Sequence, residues 1–144
     1  MKKITFIILS LIILNCTSQK TLTSNNSFEV GQSICQNWVG GKEASGSGTT
    51  LIIPVQLSGT PSIAFKEIFF RGKQVPATLF SEKESYFIKA EIISNTKNSE
   101  ETTYWNLEPT EAILSYVENE KLKYTKINNI KEKQPLLYNS RPKN

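Results

Sequence analysis

Apolar and polar positions alternate with a period of two along most of this chain, in short runs separated by turn-forming residues. SICQNWV (33–39) ends in Gly40 and Gly41 and a Gly/Ser loop. TTLIIPVQL (49–57) is β-branched, with Pro54 inside it arguing for an edge position or a bulge. After SGTPS comes IAFKEIFF (63–70), then Arg71-Gly72-Lys73 as a tight hairpin turn in which Gly72 supplies positive φ, and QVPATLF (74–80) as the returning strand. SYFIKAEII (85–93), TTYWNL (102–107), EAILSYV (111–117) and KLKYTKI (121–127) complete the series. Asn119-Glu120 forms the last turn, with Glu118 opposite Lys121. No window of eleven residues holds helical spacing. The pattern predicts an all-β fold, an antiparallel β-sandwich or small open barrel of about seven or eight short strands.

The N-terminus follows another pattern. Lys2 and Lys3 precede eleven uncharged residues, ITFIILSLIIL (4–14), and the chain turns polar at Cys16. A membrane-crossing helix needs about 20 apolar residues, so this run is too short for a permanent span and has the length and flanks of a secretory leader. Ile13-Leu14-Asn15-Cys16 resembles the box that precedes the lipidated cysteine of bacterial lipoproteins. It fits at the apolar residue three before Cys16 and more loosely at Leu14 and Asn15. The alternative is cleavage after Ser18, which releases a soluble protein. The expected organisation is a signal segment 1–15, a polar tether 16–32, a β domain 33–138 and a frayed tail 139–144. Two residues after Cys16 stands Ser18 in place of an acidic retention signal, and no acidic cluster follows. The expected location is therefore the cell envelope, lipid-anchored to the outer membrane and facing the periplasm.

Composition narrows the chemistry. The 144 residues include no His, and all 13 acidic residues are Glu. His-dependent triads, His-ligated zinc and Asp-centred phosphoryl transfer have no residues to run on. No metal or cofactor is expected. Without Lys2 and Lys3, the 17 basic residues become 15 against 13 Glu, a formal charge near +2. Lys121, Lys123, Lys131 and Lys133 recur at alternating positions and read as one solvated strand face, with no nucleic-acid partner implied. If Cys16 carries lipid, Cys35 is a lone thiol: a buried small hydrophobe, a reactive thiol, or, without lipidation, a disulfide partner of Cys16.

Trp38-Val39-Gly40-Gly41, Gly46-Ser47-Gly48-Thr49, Ile53-Pro54-Val55, FFRGKQV (69–75) and EAILSY (111–116) are shared, in that order, with a set of proteins. On these motifs, over about residues 34–138, the chain resembles small uncharacterised lipoproteins of Bacteroidetes, of the flavobacterial type. The resemblance implies a Gram-negative envelope lipoprotein and brings no activity or ligand with it.

Four side chains stand out as candidate binding residues. Trp38 and Trp105 read either as an aromatic platform for a glycan or as filling for the core. Arg71 and Lys73, at one hairpin tip, suit an anionic partner such as a lipid phosphate or a carboxylate on another envelope protein, or else decorate a solvated turn. The pairs Glu82/Glu84, Glu100/Glu101 and Glu118/Glu120 are the carboxylates available to a glycosidase-like acid and base. The expectation is a non-enzymatic binding or accessory module attached to the membrane through lipid on Cys16, with an envelope protein or a glycan as partner. A secreted hydrolase using paired Glu is the alternative.

Overall fold

A computed structural model describes residues 20–24, 27–41, 46–59 and 62–138. Ten strands and one short helix follow in chain order: β1 (Phe28–Val30), β2 (Ile34–Gly40), β3 (Ser47–Leu57), β4 (Ile63–Phe70), β5 (Lys73–Pro76), β6 (Thr78–Glu82), β7 (Ser85–Ile93), α1 (Glu100–Trp105), β8 (Ala112–Glu118), β9 (Lys121–Ile127) and β10 (Lys131–Tyr138). One sheet runs β10-β2-β3-β7-β6, with β1 also beside β3; the other runs β5-β4-β8-β9. The two face each other as a sandwich, not a closed barrel. All ladders are antiparallel except β10 against β2.

Period-two alternation builds the core directly. Leu51, Ile53 and Val55 of β3 and Ile88, Ala90 and Ile92 of β7 point inward and meet Ile68, Phe70, Leu114 and Tyr116 of the opposite sheet. Each such large side chain contributes about 2 kcal/mol by leaving water. Cys35 is 1% exposed and belongs to this cluster as a free thiol, whose pKa burial pushes up. Strand β8 is buried on both faces, because its outward Ile113 lies with Phe69 and Tyr124 under Trp105 and Leu107.

Several expectations are corrected. TTYWNL is not a strand: Glu100–Trp105 is a single helical turn and a half, closed by Asn106 in the left-handed conformation. Its β-type composition is overridden because Trp105 packs against Tyr124 at 5.1 Å and Phe69 at 6.4 Å between ring centroids. QVPATLF is not one strand but two in different sheets, joined at Ala77. The four alternating lysines share no face, since Lys121 and Lys123 belong to β9 and Lys131 and Lys133 to β10 of the other sheet. β10 itself is an added strand, whose Pro135 falls within a register shift between Lys133 and Leu136.

Pro54 is in a central strand rather than at an edge. Its carbonyl accepts the Gly31 N–H at 2.9 Å, so its nitrogen, on the same side, faces the break between β1 and β2 where no ladder bond is due. A Cβ on Gly31 would lie 3.1 Å from Pro54 Cβ, which accounts for glycine there. Parts of the segment read as tether also have fixed places. Phe28 is buried in the core from β1, and Thr23 donates its N–H to the Tyr124 carbonyl at 2.7 Å. The signal segment, Cys16 and the tail 139–144 lie outside the described residues.

Candidate functional site

Three of the four candidate binding residues border one cavity of about 340 Å³ at an open end of the sandwich: Trp38, Arg71 and Lys73. The β4–β5 hairpin brings the two cations there. Its two-residue turn is Arg71-Gly72, with φ of 47° and 77°, while Lys73 pairs with Phe70 in the ladder. Positive φ at both central residues is the primed geometry that matches strand twist.

Arg71 reaches across the gap between sheets. Its Nη2 donates to Glu132 Oε2 at 2.8 Å, its Nε to the Pro109 carbonyl at 3.1 Å, and its guanidinium lies 4.8 Å from the Phe70 ring centroid. Asn37 Nδ2 donates to the other Glu132 oxygen at 2.7 Å, and Thr49 Oγ1 donates to Asn37 Oδ1 at 2.6 Å. The result is a polar chain Thr49-Asn37-Glu132-Arg71 that ties β3, β2 and β10 to the tip of the other sheet. Arg71, by bond and by charge, holds the Glu132 carboxyl below the usual carboxylate range. Arg71 is thus a brace rather than a free finger.

Lys73 differs, because its ammonium is bonded to the neutral Thr96 carbonyl. Arg71 and Glu132 offset each other, so among the described residues Lys73 leaves the cavity wall with a net positive charge. Ser99 N–H donates to the Gly72 carbonyl at 3.0 Å and Ser99 Oγ to Gln74 Oε1 at 2.7 Å, which zips the segment before α1 along this hairpin. A cavity with Asn37, Phe70 and a cation at its wall can receive a small anionic group by charge and hydrogen bonding.

The two tryptophans do not form a shared platform. In the unbroken β2–β3 register Trp38 is opposite Gly48, on the sheet face away from Cys35 and Leu51. Its indole lies so close over Gly48 that a Cβ there would be 2.7 Å from the ring and 2.6 Å from the Ile92 carbonyl. Trp105 sits on the outer side of the other sheet under α1, its indole N–H buried without an acceptor among the described residues.

The Glu pairs are dispersed. Glu82 and Glu84 are exposed at the β6–β7 hairpin. Glu100 and Glu101 open α1, with Glu101 2.5 Å from Lys20 Nζ. Glu118 is buried and ion-paired with Lys123, its pKa lowered first by that bond and then by Ser27, the opposite of the shift a general acid needs. Among the described residues no cluster of three Cys or Glu side chains is placed to hold a metal ion, and no helix is long and apolar enough to cross a membrane. Asn37, Thr49 and Glu132 were missed in the sequence, since polar residues on alternating strands give no signal until the register aligns them. Comparison with protein-family models, curated proteins and solved structures found no match.

Proposed function

We propose that this protein is a lipid-anchored module of the bacterial cell envelope, held by acyl chains on Cys16 at the periplasmic face of the outer membrane, which binds an anionic group of an envelope partner without catalysing a reaction. The leader supports the anchor: two lysines, an eleven-residue apolar run and Cys16 at its end. Two or three acyl chains, at about 0.8 kcal/mol per buried methylene, hold a domain at a membrane without release. The resemblance to Bacteroidetes lipoproteins agrees with that leader. The observation that carries the binding reading is the Lys73 ammonium, which has no carboxylate partner among the described residues, at a cavity it shares with Arg71 and Asn37.

Two measurements test the reading. Labelled palmitate enters the wild type and not Cys16→Ser; incorporation in both, or in neither, removes the anchor. Affinity capture from intact envelopes then yields a partner that Lys73→Ala loses, and an unchanged capture profile removes the role of the cavity.

A further inference from the structure

A second groove, of about 370 Å³, lies between the N-terminal segment and β9, lined by Lys20, Lys121, Lys123, Leu122, Tyr124 and the threonines of the segment. Leu22 bridges to Tyr124 in parallel, and the Tyr104 hydroxyl donates to the Lys20 carbonyl at 3.4 Å. Lys20 also lies 5.9 Å from the Tyr124 ring centroid. The first described residues thereby run along the β9 edge of the β5-β4-β8-β9 sheet, with Lys20 over its outer side.

We infer that this face rests on the bilayer surface, with the lysine groove receiving anionic lipid headgroups. The inference rests on lipidation of Cys16. Four residue steps separate Lys20 from Cys16, a reach of at most about 14 Å even when fully extended. A domain of this size has a radius of gyration of about 13 Å, so Lys20 cannot be held away from the headgroups while Cys16 is in the membrane. The side of the molecule that carries Lys20 must face the lipid.

That side has the composition such a position favours. Leu22, Tyr104 and Leu122 are 49%, 60% and 55% exposed, large apolar side chains that find no cover in the fold. Leu122 shares its sheet face with Tyr124, two residues on. Leucine and tyrosine side chains bury at the headgroup boundary, and lysines beside them meet lipid phosphates. Lys20 is bonded to Glu101, with the Glu67 charge also acting on it, and Lys123 is bonded to Glu118, which leaves the exposed Lys121 as the lysine of the groove with no ion pair among the described residues.

The test uses the full chain, processed and lipidated by cells and reconstituted into phosphatidylcholine vesicles with or without phosphatidylglycerol. An environment-sensitive fluorophore is placed on Leu122→Cys, or on Leu22→Cys as a second position, and on Leu137→Cys in the other sheet, 83% exposed. The buried Cys35 does not compete for label. The expected result is blue-shifted emission and quenching by brominated lipid at 122 and 22 but not at 137. Phosphatidylglycerol strengthens the effect, and Lys121→Gln weakens the docking equilibrium about fivefold. Protein that floats with the vesicles yet shows water-like emission at 122 and 22 overturns the docking and leaves the anchor standing. Protein that does not float overturns both.

Discussion

The carboxylate of Glu118 is bonded by Lys123 rather than by Lys121, the residue opposite it in the β8–β9 ladder. Glu118 is 5% exposed on the strand face that also carries Tyr116, and Lys123 reaches it from two positions along. Its folded-state pKa lies below the ordinary carboxylate value. The stability it contributes is therefore complete above about pH 4.3 and is lost as pH falls through the lower folded value. Glu132, lowered by Arg71, and Glu111, lowered by Lys126, act in the same window. Urea midpoints of the wild type should fall below about pH 4.3, and Glu118→Gln should flatten that slope; an unchanged slope would contradict the assignment.

The Arg71–Glu132 bridge is part-exposed, so it is worth at most about 1 kcal/mol. Arg71→Ala is expected to destabilise by about that much in low salt and by less in high salt. A double-mutant cycle with Glu132→Gln should return most of the loss as coupling. Zero coupling would mean that Arg71 acts through Pro109 and Phe70 alone.

Gly48→Ala should be among the more damaging single-methyl changes in the chain. The added carbon meets the Trp38 indole and the Ile92 carbonyl, and the second of these is backbone. A loss of about 2 kcal/mol or more is expected from thermal unfolding, in line with overpacking. Trp38→Phe should not rescue it, because the carbonyl stays in place.

Two primed turns carry glutamate at their second central position, where it is poorly suited. Lys83 and Glu84 have φ of 47° and 66°, and Asn119 and Glu120 have 49° and 62°. Left-handed backbone costs a side-chain-bearing residue about 1–2 kcal/mol, and glycine is spared it. Glu84→Gly and Glu120→Gly should each raise stability by about 1 kcal/mol, Glu120→Gly by creating Asn-Gly; a fall in melting temperature would refute this.

Cys35 is expected to resist alkylation in the folded protein. Burial raises its pKa, and the Glu132 charge adds to that while Arg71 opposes it. Iodoacetamide at mildly alkaline pH should modify it only in urea, with the rate following the unfolded fraction. Rapid labelling of native protein would show an opening near β2.

The strands legible in the sequence are those rich in buried β-branched and aromatic residues between turn residues. SYFIKAEII alternates cleanly because one side of β7 is in the core, and β7, β4 and β9 follow SYFIKAEII, IAFKEIFF and KLKYTKI with the same bounds. Glu118 does stand opposite Lys121, but the pattern alone did not fix that register; the Asn119-Glu120 turn was legible because Asn tolerates left-handed backbone. β10 was not, since an edge strand of Lys, Glu, Gln and Pro buries little and looks like a polar loop. Helix α1 was hidden because six residues are too few for a period, and Ser99 offers no side-chain cap. In the site, Arg71 stood out as one of two arginines, beside Lys73 at a turn. Their partners Glu132 and Thr96 come from other strands and loops, and only the folded register brings them near.

The parallel pairing of β10 with β2 has a consequence for biogenesis. Strand β2 is made early and β10 comes almost a whole domain later, so during synthesis the backbone edge of β2 waits open until Lys131–Tyr138 emerge. A chain stopped before Lys131 would display that edge permanently, a template for pairing with another unfinished copy. Completion of the polar C-terminal strand is thus what covers the β2 edge.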